Sequence, residues 1–223
     1  AIFWVAVIPG VMAVVLLIVG VKEPDRPVSA NRINPINKAN LKRLSADYWW
    51  VVIIGAVFTL ARFSEAFLVL RAQQGGVPLA FVPLVMVAMN LVYSACAYPF
   101  GHLSDKVSHK KMLATGLLVL IVADLVLASS ADLTTLLIGV ALWGIHMGMT
   151  QGLLATMVSQ VAPADLRGTA FGFFNLMSGL ALLLASVIAG LLWDNVGADY
   201  TFYAGAVFGA VALVVLYQRY RHP

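Results

Sequence analysis

An all-α membrane protein, one six-helix bundle preceded by a further transmembrane helix, is the fold class this sequence predicts. Three observations carry that expectation. Of the 223 residues, 61% are apolar and only 11% are charged, and the mean hydropathy is +0.93. A soluble domain carries about 25% charged residues. The apolar residues gather into seven runs, most of them near the roughly 20 residues that a bilayer-spanning helix needs. The basic residues lie almost wholly between those runs and on alternate sides of them.

The first run covers residues 1–21 and lacks a basic leader, so it reads as a span and not a signal peptide. Residues 22–47 follow, with Pro24, Pro27 and Pro35, four asparagines and six Lys or Arg. That composition predicts a solvated linker. The remaining runs lie at 48–70, 78–100, 112–130, 133–159, 169–192 and 200–217. Short turns marked by Gly, Pro, Asp and Asn separate them, giving a bundle over 48–217 and a tail over 218–223.

Threading the runs alternately puts twelve basic residues on one side: six in the linker, then Lys106, Lys110, Lys111, Arg167, Arg219 and Arg221. The other side has Arg71 alone, and Arg62 falls inside a span. Positive loops stay in the cytoplasm, so the linker and the C-terminus are expected there, with the chain integral to a plasma membrane, a bacterial inner membrane. The same distribution explains the net charge of +4 without a nucleic-acid partner. The lipid bilayer is the expected surrounding.

Several chemistries are disfavoured. A retinal protein needs an intramembrane lysine, and all six lysines lie in loops or at their edges. His146 is the only histidine inside a span, and neither HExxH nor GxSxG occurs. Cys96 is the only cysteine, which removes intrachain disulfides and multi-cysteine metal sites. No enzyme activity, metal or cofactor is expected.

The polar residues inside the spans are the candidates for function, because an ionised group at bilayer depth costs about 2.5–3.5 kcal/mol on insertion scales. Arg62 and Glu65 lie three apart in the second run and would share a helix face. They read either as a self-satisfied ion pair or as a proton site and an anion contact. Asp124 is the acid of the fourth run. In the fifth run Trp143, His146 and Thr150 share a face roughly opposite a ridge of Gly144, Gly148 and Gly152. The sixth run carries Gly168, Gly172, Gly179, Ser186 and Gly190 near one stripe. Such small residues let helix backbones approach closely. Asn90, Tyr93, Gln151 and Asn175 complete a polar set, which either bonds helix to helix or, with Arg62, Glu65 and His146, lines a path through the bundle.

The loop between the third and fourth runs reads Gly101-His102-Leu103-Ser104-Asp105-Lys106-Val107-Ser108-His109-Lys110-Lys111. It resembles the loop signature of the major facilitator superfamily, G-x-L-[AS]-D-[RK]-x-G-[RK]-[RK]. Gly101, Leu103, Ser104, Asp105, Lys106 and Lys110 match; Ser108 stands in for the second glycine and His109 for a basic residue. The stretch Asp165 to Gly172 is similar to the entry of the family's eleventh helix, and the opening run ending in Lys22-Glu23-Pro24 to its sixth.

This resemblance implies helices six to twelve of a twelve-helix carrier, in which two six-helix bundles rock about a central cavity. It implies a secondary active transporter of a small organic solute, with drug-efflux-like bacterial members nearest in appearance and therefore proton-coupled efflux by alternating access. By the family's layout, Arg62, Glu65, Asn90, His146, Gln151 and Asn175 would face the cavity, whereas Asp124 would sit on a peripheral helix. Asp105 would lock a cytoplasmic gate. The other bundle is expected on the same polypeptide, ahead of residue 1. Antiport, symport and uniport stay open, because the family's antiport signature would lie on the fifth helix. The alternative is a non-transporting assembly or scaffold module that works through its glycine ridges.

Overall fold

The computed structural model describes residues 2–20 and 38–221. Most of the expected linker, including Lys22, Arg26 and Arg32, lies outside the described residues, as do the last two residues of the tail. The described residues contain ten α-helices, one short 3-10 turn and no strand. The chain forms two compact units that divide between Pro35 and Ile36.

In the first unit, α1 spans Ile2–Gly20 and is apolar throughout, with Pro9 in its interior. The second unit opens with α2 (Lys38–Lys42) and α3 (Ala46–Leu60). Ser45 caps α3, its hydroxyl accepting the Tyr48 N–H at 3.2 Å. After a non-helical stretch come α4 (Ala66–Gln74) and α5 (Val82–Ser104). Gly76 closes the turn between them at φ 83°, a left-handed angle that suits a residue without a Cβ. Next are α6 (His109–Ala128), α7 (Leu133–Thr150) and α8 (Leu153–Val161). A short 3-10 turn at Ala164–Leu166 leads into α9 (Arg167–Asn195), and α10 covers Ala198–Arg221.

Among the described residues, five segments are long and apolar enough to cross a membrane: Val82–Ser104, His109–Ala128, Leu133–Val161, Ala164–Asn195 and Ala198–Gln218. The expected continuous span at 48–70 is different. Its helix stops at Leu60 and restarts at Ala66, so Arg62 and Glu65 do not share a regular helix face. The run 133–159 is also interrupted, at Gln151 and Gly152, between α7 and α8.

The bundle packs in pairs. Helix α7 lies between α5 and α6, α6 lies against α10, and α3 contacts α9, α10 and α8. The glycines at 144 and 148 make the α5–α7 seam. A Cβ on Gly144 would sit 2.7 Å from the Met89 carbonyl oxygen, and one on Gly148 would sit 2.7 Å from the Cβ of Cys96. Cys96 is half-buried with a free thiol. Gly152, by contrast, has nothing within 4 Å of its Cβ position, and neither do Gly168, Gly172 or Gly179 on α9. These three glycines of the α9 stripe therefore face away from their own bundle, whereas Gly190 near its other end reaches Phe67 of α4 at 4.0 Å.

The core has two apolar layers. One gathers Tyr48, Val52, Phe58, Leu113, Leu117, Leu153, Val158 and Phe174 toward the end that holds the signature loop. The other gathers Phe63, Leu68, Met89, Leu120, Leu127, Val140, Trp143 and Phe202 toward the opposite end. The break after Leu60 falls where the layers meet, between Phe58 and Phe63, whereas the one at Gln151 lies within the first layer, between Met149 and Leu153. Backbone that leaves the helix at membrane depth is tolerated where it is buried in protein or lines a cavity.

Candidate functional site: a polar cleft between two interrupted helices

The two interruptions are joined by a side-chain bond. Arg62 sits in the break between α3 and α4, and Gln151 in the break between α7 and α8. Arg62 Nη1 donates to Gln151 Oε1 at 3.2 Å. Glu65 and Tyr93 are close enough to act on the Arg62 charge electrostatically. Arg43 pairs with Asp165 and Arg71 with Asp199, and neither pair involves Arg62 or Glu65.

Gln151 and Tyr93 also line a recess of about 460 Å³ between α5 and the α7–α8 junction. Its walls include Ala97, Phe100, Met149 and Leu153, with Ser104, Asp105 and Thr156 as polar members. Asp105 and Tyr93 are twelve residues apart on or at the end of α5, roughly 18 Å at 1.5 Å per residue. The recess therefore runs from the level of the helix breaks toward the signature loop. This volume lies in the range of about 300–1,000 Å³ that small-molecule sites occupy.

The signature loop is tightly folded. The Leu103 carbonyl accepts the N–H groups of Lys106 and Val107 at 3.0 and 2.9 Å. Ser104 Oγ donates to the Gly101 carbonyl at 2.7 Å. Ser108 caps α6 at φ −57° by accepting the Lys111 N–H. A backbone at that angle has no need of the glycine that the signature carries, and the serine supplies a cap instead. Lys106, Lys110 and Lys111 are exposed on the same end.

The other candidates are placed apart from one another. Asn90 is exposed on α5, one turn from Tyr93, with its Nδ2 donating to the Met86 carbonyl at 2.8 Å. Asn175 is exposed on α9 beside Phe174, whose ring fills the space over Gly55. His146 is fully buried. Its Nδ1 lies 2.8 Å from the Gly116 carbonyl oxygen, and its ring stacks on Phe58 at 5.5 Å. A carbonyl only accepts, so Nδ1 carries the proton and Nε2, which has no partner, is the bare nitrogen. Asp124 is fully buried on α6 against Gly205 of α10, and neither carboxyl oxygen has a hydrogen-bond partner. Gln151 and Tyr93 thus line the cleft, and Arg62 is joined to it through its bond to Gln151, with Glu65 in electrostatic reach; His146 and Asp124 lie inside the bundle.

Arg71, counted in the sequence only for orientation, has a larger part. Its side chain is buried and reaches the end of α6. Nε donates to the Leu127 carbonyl and Ser130 Oγ, both at 3.1 Å, and Nη1 donates to Gln74 Oε1 at 3.0 Å. Nη2 donates to the Ala128 and Ser130 carbonyls at 3.0 and 3.2 Å and pairs with Asp199. The available signal was one basic residue on the far side facing an acid at the start of the last span.

The sequence pattern of the Major Facilitator Superfamily matches residues 52–223. The chain belongs to that superfamily. This facilitator chain is 33% identical over 202 residues to an uncharacterized MFS-type transporter of Methanocaldococcus jannaschii, covering 88% of the chain and 50% of that protein. It is 34% identical over 115 residues to a class H tetracycline resistance protein of Pasteurella multocida, covering 52% and 28% respectively. An arabinose-proton symporter of Bacillus subtilis is 28% identical over 150 residues, covering 65% and 29%. The facilitator chain spans half the length of the archaeal relative and under a third of the other two. It is an integral membrane protein of the all-α class.

Proposed function

We propose that the chain forms the solute-binding and gating half of a secondary active transporter, one that expels a small organic solute in exchange for protons by alternating access. The observation that carries this reading is the Arg62–Gln151 bond. It joins a charged and an amide side chain at two helix interruptions, and the amide lines the inner end of a recess of ligand size. Interrupted helices with polar side chains at their breaks are where carriers bind solutes and coupling ions.

Glu65 is the proton-accepting group in this reading, because it is the acid within electrostatic reach of Arg62 at the helix break and has no ion pair with it. Arg62, Gln151, Tyr93, Asn90 and Asn175 form the solute path. Asp105, with Gly101, Leu103, Ser104, Lys106, Lys110 and Lys111, forms the gating loop on the cytoplasmic end. His146 and Asp124, both fully buried, serve in proton transfer within the bundle. A two-sided cavity needs a second bundle, which the same polypeptide would supply. The resemblance to a tetracycline resistance protein favours export, and that to a proton symporter favours proton coupling.

Everted vesicles holding the full-length protein and an imposed proton gradient test this. Adding tetracycline or another transported solute should dissipate part of the gradient, and Glu65→Gln should remove that response. Gradients untouched by tetracycline, arabinose and a panel of cationic, anionic and neutral drugs would overturn the reading.

A further inference from the structure

Among the described residues, four buried side-chain atoms have no hydrogen-bond partner: both carboxyl oxygens of Asp124, Nε1 of Trp143 and Nε2 of His146. All three side chains are fully buried. Helices α6 and α7 run antiparallel, with Gly116 against Thr150 and Leu127 against Gly139. Those two contacts are equally spaced on both helices, so Asp124 is level with Leu142 and Trp143, and His146 lies one turn away, level with Leu120. On the α10 side the seat of Asp124 is a glycine. A Cβ on Gly205 would sit 2.5 Å from Asp124 Oδ2 and 2.9 Å from the Phe63 ring. Phe63 belongs to the break between α3 and α4, and its ring packs on Trp143 at 5.4 Å and on Phe202 at 5.6 Å. The carboxyl, the break and the first half of α10 therefore meet at one place.

The charged and titratable groups of the surrounding elements are committed elsewhere. Arg71 of α4 holds the end of α6 and pairs with Asp199 of α10. At the break, Arg62 bonds Gln151 and has Glu65 in electrostatic reach. On α7, His146 directs Nδ1 to Gly116. Tyr200 and Tyr203 of α10 are exposed, α8 has no ionisable residue, and His109, Lys110 and Lys111 lie at the other end of α6. A carboxylate buried with neither a donor nor a cation is costly, far more so than a neutral carboxyl.

We infer that Asp124 holds a proton while the α6–α10 seam is closed, and that releasing it unseats α10 and Phe63 and so reshapes the break that carries Arg62. On release the carboxyl O–H bond breaks, its electron pair stays on the oxygen, and the proton passes to water at the rim opposite the signature loop, about 6 Å along α6 at 1.5 Å per residue. The carboxylate then needs donors. Trp143 offers an N–H at the same level, and water entering the parted seam supplies the rest. This rests on the carrier reading above for its use in transport, because Phe63 would pass the change to the cleft; the proton switch itself does not depend on a solute.

The test compares the full-length protein in detergent micelles with Asp124→Asn at matched pH. Asp124→Ser serves the same comparison should the amide not fit the Gly205 seat. Unfolding exposes Asp124 to water, where it ionises above about pH 4, whereas the closed seam retains the proton. The folded state then binds more protons than the unfolded one. The melting temperature of the native protein should therefore fall behind that of Asp124→Asn by about 2 °C for each pH unit above that value. Amide exchange followed by mass spectrometry is the second readout. In mildly alkaline buffer the backbone at 61–65 and 201–209 should exchange about tenfold faster in the native protein than in Asp124→Asn, while 112–119 exchanges equally in both. A melting gap that does not change with pH, or equal exchange at 61–65, overturns the switch. A pH-dependent gap in a protein that no solute engages upholds the switch and removes the carrier; a working carrier without that gap keeps the carrier and loses the switch.

Discussion

Arg71 and Asp199 form an ion pair of 2.7 Å in which the arginine side chain is 10% exposed and the aspartate 52%. The two partners are unequal. Arg71 also donates to the Ala128 and Ser130 carbonyls at the end of α6, and shares the Leu127 carbonyl with the Ser130 N–H and hydroxyl. Arg71→Ala should destabilise the bundle by about 3 kcal/mol, because it takes the guanidinium donors from the buried end of α6 all at once. Asp199→Asn removes a half-exposed charge and should cost under about 1 kcal/mol. Unfolding titrations in mixed micelles would separate the two; equal losses would mean that the ion pair and not the carbonyl bonds dominates.

Three glycines spaced four apart behave differently. Gly144→Ala would drive a methyl group toward the Met89 backbone, where a rigid helix cannot yield, and should cost about 1–3 kcal/mol. Gly152→Ala meets open space at an ordinary right-handed angle and should be neutral or stabilising by up to about 1 kcal/mol. Thermal melts of the two variants would check the sign.

Asp132 caps α7, with its Oδ1 accepting the Thr135 N–H at 2.8 Å. That hydrogen bond holds the Asp132 carboxyl below the usual aspartate range. A depressed acid stabilises the fold above its unfolded-state value and loses that contribution as pH falls through its folded value. Melting temperature should therefore drop on acidification below about pH 4. Asp132→Asn should keep the cap and flatten this component of the profile, and Asp132→Ala should lower the melting temperature at neutral pH.

His146→Ala removes both the stack on Phe58 and the bond to Gly116. It should destabilise by about 2–4 kcal/mol. His146→Phe keeps the stack and should recover about half of that. Loss of solute response with full thermal stability in His146→Ala would instead assign this residue to transport.

Much of the architecture was legible from residue spacing. Apolar runs of spanning length foretold the five long apolar helices found among the described residues. The four-residue interval of Gly144 and Gly148 announced a seam that α5 does fill. The break at 61–65 was hidden because Ala61 and Phe63 continue the apolar pattern and pack in the core, and because the stretch has no Gly or Pro. Only Arg62 and Glu65, costly in a regular span, marked the place. At Gln151 the neighbouring Gly152 was read as part of a packing ridge, whereas its side faces open space. Which neighbour a buried polar group meets also depends on helix rotation. The shared face of Trp143, His146 and Thr150 was readable, but not that α3 and α6 close over it. Ser108 is the reverse case: its departure from the loop signature is explained once its hydroxyl is seen capping α6.

Stiffness is unevenly distributed in this bundle. At the far rim Arg71 couples α4, α6 and α10, so those ends resist being pulled apart. At mid-depth both α3–α4 and α7–α8 forgo part of their backbone ladder, and bending there breaks the fewest bonds. Strain imposed at either end would therefore concentrate at Arg62 and Gln151, making one side-chain contact the flexural joint of the wall around the recess.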